Sequence, residues 1–161
     1  MTQQNIHTPE ELLHFQLRSA LQMEQHSLDA LDELHSAAND AKVKHLFSHH
    51  AEETREQIAN LERVFGMFEW NDTTAPSPAT TGITKQAAAL LERTDPALHD
   101  QVTLMSAMGN EHFEISAYQG LILATEAMGA TDAATLLQAN LDQEVHTSEE
   151  LHAALQGMLA A

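Results

Sequence analysis

Four stretches of this chain repeat apolar residues at alternating steps of three and four, and each carries one glutamate near its middle. Such steps place residues on one face of an α-helix, the face a helix buries. The first stripe is Leu17, Leu21, Glu24, Leu28, Leu31. The second is Val43, Leu46, His50, Glu53, Gln57, Leu61, Val64, Phe68. The third is Leu104, Met108, Glu111, Ile115, Tyr118, Ile122, and the fourth Leu137, Leu141, Glu144, Ser148, Leu151, Leu155, Met158. A chain so patterned hides its apolar residues by packing helix on helix, and that carries four carboxylates inside.

Start and stop signals frame the helices. Thr8-Pro9-Glu10-Glu11 combines a cap, a first-turn proline and a capping-box glutamate, opening a helix over 9–37. Asn39-Asp40 breaks it and starts a second over 40–68. Residues 71–82, NDTTAPSPATTG, form a loop, and a short helix follows over 84–92. Asp95-Pro96 opens a third long helix over 96–128, stopped by Gly129, and Thr131-Asp132 opens a fourth over 131–158. Tight turns make the first and second helices antiparallel neighbours, and likewise the third and fourth. One long crossover joins the hairpins and frees the second from simple up-down succession. The expected fold is an all-α, ferritin-like four-helix bundle in a single domain, with a short extra helix in the crossover.

The central carboxylates restrict what the interior can hold. An ionised carboxylate in a core must be paired, protonated or bound to a cation. None of the seven Lys and Arg residues falls on the stripes near the glutamates. One or two divalent ions would balance the charge. His50 lies one turn before Glu53 and Gln57 one turn after, both at positions that should be apolar. His50 reads either as a ligand or partner of the carboxylates or as a hydrogen-bonded core histidine. Glu114 follows Glu111 by one turn and is a candidate fifth carboxylate, His112 flanks the stripe, and Tyr118 is a packed core residue with a hydroxyl to satisfy.

Composition closes other routes. There is no cysteine, so disulfides, thiolate metal sites and thiol nucleophiles are excluded, and any metal rests on oxygen and imidazole, which suits iron or manganese. The formal charge of −17 repels nucleic acid and anionic membranes, so neither is an expected partner. No apolar run is long enough to span a bilayer, and MTQQNIHTPEELL lacks the pattern of a secretion signal, so a cytoplasmic location is expected. No glycine-rich phosphate loop, GxSxG or HExxH competes with the carboxylates.

Three segments carry a resemblance. EHFEISAYQGL (Glu111–Leu121), HHAEETREQIANLERVF (His49–Phe65) and DAATLLQANLDQE (Asp132–Glu144) resemble the YciF/YciE-type family of ferritin-like bacterial proteins. The likeness runs from about residue 10 to residue 158, and EHxExxxY with its spacing to Glu144 is the most specific part. It implies a rubrerythrin-like bundle, a dinuclear metal site, homodimers and an association with bacterial stress responses. Glu24, His50, Glu53, Glu111, His112, Glu114 and Glu144 stand where the family carries polar core residues. Two departures stand out. Gln143 replaces an acidic residue, and the ferritin ExxH signature is missing, since Glu56 follows Glu53 and Thr147 follows Glu144 at that spacing.

The expected cofactor is therefore two iron ions, with manganese or another divalent metal as substitute. The expected ligands are Glu24, His50, Glu53, Glu111, Glu114 and Glu144, with Gln57, His112 and Tyr118 around them. Redox chemistry on oxygen or peroxide suits such a centre. A metal-binding stress protein without turnover and a metal-free helical interaction module are the alternatives.

Overall fold

The computed structural model describes residues 5–161, so residues 1–4, which open the segment searched for a secretion signal, lie outside the described residues. Five α-helices follow one another: α1 Pro9–Ala37, α2 Ala41–Met67, α3 Pro78–Glu92, α4 His99–Ala127 and α5 Thr131–Ala160. Among the described residues there is no strand, and no helix is long and apolar enough to cross a membrane.

The ends follow local chemistry. Thr8 Oγ1 accepts from the Glu11 amide at 3.1 Å, and Glu11 Oε2 accepts from the Thr8 amide at 3.0 Å, which completes the capping box. Asp40 caps α2 by accepting from the Lys42 amide at 2.7 Å. Gly129, at φ 75°, takes the left-handed conformation that ends α4, where a side chain would be strained.

Two boundaries differ from expectation. The crossover helix begins at Pro78, so it absorbs Pro78-Ala79-Thr80-Thr81-Gly82 from the expected loop. Proline pre-sets the first helical φ, and Thr80, Thr81 and Thr84 return their hydroxyls to backbone carbonyls one turn earlier. Gly82 sits inside the helix without ending it. Asp95-Pro96 opens a 3-10 turn over Pro96–Leu98, and α4 starts only at His99.

Two apolar clusters close the bundle at opposite ends. One joins Leu13 and Leu17 of α1, Val64 and Phe65 of α2, Leu121 and Ile122 of α4, and Leu137 of α5. The other joins Leu31 and Leu34, Val43 and Phe47, Leu104 and Ala107, and Leu151. The start of α1 thus meets the ends of α2 and α4 and the start of α5. Each long helix is antiparallel to both neighbours, α1 beside α2 and α4, and α5 beside α2 and α4. α4 runs in the same direction as α2, so the crossover returns along the bundle, as the long connection foretold. Each fully buried Leu or Phe contributes about 1.5–3 kcal/mol, so these clusters supply most of the hold.

The crossover is tied to α1. Arg18 Nη2 donates to the Thr74 carbonyl at 2.9 Å, the Ala75 amide donates to the Arg18 carbonyl at 3.0 Å, and His26 Nδ1 lies 2.8 Å from Thr80 Oγ1. Trp70 stacks on Phe68 at 4.4 Å and lies 4.6 Å from the ring of His14, so it is half-buried by its own chain, as is Ile83. Phe15 and Met67 remain exposed.

Candidate metal centre

Between the two apolar clusters the bundle interior turns polar. Glu24 on α1, His50 and Gln57 on α2, Glu111 and Glu114 on α4 and Glu144 on α5 are each at most 2% exposed. One ligand-capable atom from each of His50, Glu111, Glu114 and Glu144 lies within 4.8 Å of all the others, a span that a metal ion bridges. His50 Nε2 is 2.9 Å from Glu111 Oε1 and 3.9 Å from Glu144 Oε2.

Glu53 does not join this inner group. The buried face of α2 runs Val43, Phe47, His50, Thr54, Gln57, Leu61, so Phe47 and Thr54 take the central positions assigned above to Leu46 and Glu53. The bulk of Phe47 and the hydroxyl of Thr54, which returns to the His50 carbonyl at 3.0 Å, set that rotation. Glu53 lies at the seam with α5, its side chain 14% exposed. Its Oε1 is 3.6 Å from the exposed His49, and its Oε2 accepts from Thr147 Oγ1 at 3.0 Å and lies 3.4 Å from His50 Nδ1.

Glu114 takes the fourth inner place. α4 buries Ala107, Glu111, Glu114, Tyr118 and Leu121, so its face is turned toward Glu114 and away from Met108 and Ile115. The same rotation leaves His112 exposed on the outside of α4, which removes it from the candidate surroundings of the centre. Gln57 and Tyr118 are buried beside the cluster. The Tyr118 hydroxyl donates to Glu24 Oε1 and accepts from Asn140 Nδ2 at 3.0 Å.

Two contributors were missed in the sequence. Thr147 occupies the place of the absent ExxH histidine and links His50 to Glu53. Asn140 bridges α5 to the Gln57 carbonyl at 3.1 Å and to Tyr118. Asn140 falls between Leu137 and Glu144 on a buried face, the only hint the pattern offered.

The electrostatics are severe. Burial pushes Glu24 up to about 8, against the hydrogen bond from Tyr118 and the attraction of His50. Burial, then repulsion from Glu24 and Glu111, raises Glu114 well above the carboxylate range. Burial, then repulsion from Glu114 and Glu111, does the same to Glu144. Burial, the largest single influence, disfavours the His50 cation, but Glu111, Glu53 and Glu114 together outweigh it and His50 stands well above its ordinary value. Burial of Glu53 is outweighed by the hydrogen bonds from His50 and Thr147, and its carboxyl lies below the usual range. Every ion pair among the described residues involves histidine, so neither Lys nor Arg neutralises the cluster.

Many of these atoms have no protein partner. Glu24 Oε2, Glu111 Oε2, both oxygens of Glu114, both of Glu144 and both side-chain polar atoms of Gln57 are buried without a hydrogen bond. Such groups are rare in folded proteins because each loses its water without replacement. The donor set of carboxylates and one imidazole, with no sulfur, fits a hard cation of the iron or manganese kind.

Known proteins share this fold. Protein YciF of Escherichia coli K12 is 28% identical over 149 residues, 91% of this chain and 90% of that protein. The crystal structure of the E. coli stress protein YciF superposes with a TM-score of 0.91 at 25% identity, covering 96% of this chain and 99% of the other. YcfI of Rhodopseudomonas palustris, to which a structural role has been ascribed, gives 0.90 at 29% identity, covering 94% and 98%. A Xanthomonas campestris protein gives 0.78 at 22% identity, covering 95% of each chain, which speaks to the fold alone. The family described as a domain of unknown function, DUF892, matches residues 8–161, and the chain belongs to this YciF-type family of helical bundles.

Proposed function

We propose that this protein binds two metal ions, iron in the first instance, between α1, α2, α4 and α5, and acts as a metal-dependent stress protein of its family. One observation carries the reading: buried carboxylate oxygens of Glu111, Glu114 and Glu144 converge on His50, and these three and Glu24 bury oxygens that have no protein partner. Two divalent ions would neutralise these four carboxylates if His50 is neutral, and would occupy the lone pairs left open. Glu111, Glu114, Glu144 and His50 are the inner ligands, Glu24 completes the set from α1, and Glu53 approaches from the seam. When bound, an iron pair supplies redox chemistry toward dioxygen or peroxide.

The chain's own residues prepare that site. Tyr118 orients Glu24 and Asn140 holds Tyr118. Thr147 lies 3.2 Å from His50 Nδ1 and fixes the ring so that Nε2 faces Glu111 and Glu144. The apolar clusters on either side exclude water from the layer between them. Association into a homodimer accompanies this reading, because Phe15 and Met67 leave apolar surface uncovered at the end of the bundle where the crossover departs. A metal-free helical interaction protein is the competing reading, favoured by the His50–Glu111 hydrogen bond, which satisfies part of the cluster without an ion.

Ferrous ion titrated anaerobically into metal-stripped protein decides between them. Stoichiometric uptake near two ions per chain, with at least one lost in Glu114→Ala, supports the centre. Failure of the wild type to bind ferrous or manganous ion tightly sinks it.

A further inference from the structure

The crossover helix does more than return the chain. α3 lies across the groove between α1 and α4 and is held at its start, where Thr80 meets His26 and the preceding loop is bonded to α1. Thr80 is the sole buried residue of α3, so the rest of this helix lies over the groove as a thin cover.

Beneath it is a cavity of about 30 Å3, room for about two water molecules. Its floor is formed by buried Leu31 and Ala107, with Ala87 and Leu91 of α3 as the roof and Ala30 on the wall. Glu33 stands at the exposed rim. At the inner end are Ser27, Asn110 and Glu111, where Asn110 Nδ2 donates to Ser27 Oγ at 3.3 Å and ties α4 to α1. Glu111 belongs at once to this lining and to the His50 cluster, and its Oε2 is buried without a partner.

We propose that the cavity under α3 is the passage by which a small uncharged molecule of the dioxygen or peroxide class reaches the Glu111 side of the metal centre. This rests on the centre proposed above. The reasoning is one of size and polarity. Small alanines from three helices leave the gap, where leucines would close it. The mostly apolar wall disfavours a hydrated cation, which would have to shed water with nothing in exchange. Apolar dioxygen suffers no such penalty, and neutral hydrogen peroxide, which gives up only hydrogen bonds, a far smaller one than an ion. The inner end, with Ser27 and Asn110, offers a hydrogen-bond donor and acceptor where the molecule meets Glu111.

Nitric oxide is the probe, because it is small and neutral and gives ferrous sites an optical signal. Ferrous-loaded full-length protein is mixed with nitric oxide anaerobically, and association is followed by stopped flow after iron content is measured. Ala30→Leu and Ala87→Leu fill the passage. They should keep the iron and slow association about tenfold, the kinetic equivalent of a modest added barrier. Leu91→Ala thins the roof and should speed it. Ala87 is partly exposed, so Ala87→Leu keeps the test alive if Ala30→Leu does not fold. Filled and opened variants that match the wild-type rate at equal iron content overturn the passage alone. A wild type that takes up no iron gives no nitric oxide signal in any variant, and overturns the centre and the passage together.

Discussion

Stripped of metal, this protein should be more stable at pH 5 than at pH 8, the opposite of the trend set by paired surface carboxylates. Glu24 shows the size of the effect. Burial, opposed in part by Tyr118 and His50, lifts its carboxyl from 4.5 to about 8. Between those values the folded chain holds a proton that the unfolded chain has released, so each step up in pH favours unfolding. The shift of 8 − 4.5 = 3.5 units corresponds to about 5 kcal/mol of stability at about 1.36 kcal/mol per unit, fully present below pH 4.5 and lost above pH 8. For a chain of this size that is roughly 10–20 °C in melting temperature. Glu114 and Glu144, also raised, act in the same direction. So does His50, whose stabilisation is complete below 6.5 and is lost as pH rises through its elevated value. Glu53 is depressed, so its contribution is present above 4.5 and fades in stronger acid, which turns the curve down again there. Scanning calorimetry of chelated protein from pH 4.5 to 8.5 measures the trend. General repulsion from the net charge of −17 has the same sign, so Glu24→Gln is the necessary control. It should flatten the slope by several kcal/mol between pH 5 and 8. An apo protein that melts equally high at pH 8, or a Glu24→Gln slope equal to wild type, would refute the buried-carboxylate argument.

Glu144→Ala should abolish tight binding of at least one metal ion while apo melting stays level or rises, because one of several mutually repelling carboxylates is gone; Glu52→Ala and Glu149→Ala, both exposed, should change neither property in metal analysis or calorimetry. Tyr118→Phe should destabilise the apo fold by about 1–3 kcal/mol in denaturant titration, since Glu24 Oε1 loses its donor and Asn140 an acceptor. Light scattering should give twice the mass of one chain at micromolar concentration, and a strict monomer would count against the dimer.

How much of this was legible follows from what helical periodicity can encode. The stripes of α1 and α5 were read in register, and Glu24 and Glu144 lie buried where the pattern put them. The stripes of α2 and α4 were read correctly in period but turned slightly about the helix axis. A stripe of alternating threes and fours has two solutions one residue apart, and the packing of the neighbouring helices chooses between them. Phe47 over Leu46 rotated α2 and moved Glu53 to the seam, while Ala107 over Met108 rotated α4, brought in Glu114 and left His112 outside. Thr54, Thr147 and Asn140 were opaque for another reason. A short polar side chain inside a bundle looks, in sequence, like one at its surface, and only its partners reveal the difference.

The placement of the polar layer explains how one chain can carry such a site and still fold. The apolar residues are divided between two closed clusters, one around Leu17, Phe65 and Leu137, the other around Leu34, Phe47 and Leu104. Each draws on all four long helices, so each alone aligns the bundle in the same antiparallel order. The carboxylates occupy the slab between, where the helices are already held at both ends and cannot spread to admit water. That arrangement makes the strain local. Protonation or a bound cation relieves it without repacking either cluster, and loss of one carboxylate leaves both intact. A polar layer at one end of the bundle would instead fray the helix termini, where backbone groups already lack partners. The ends therefore carry the fold, which leaves the middle free to carry a function that is unfavourable for stability.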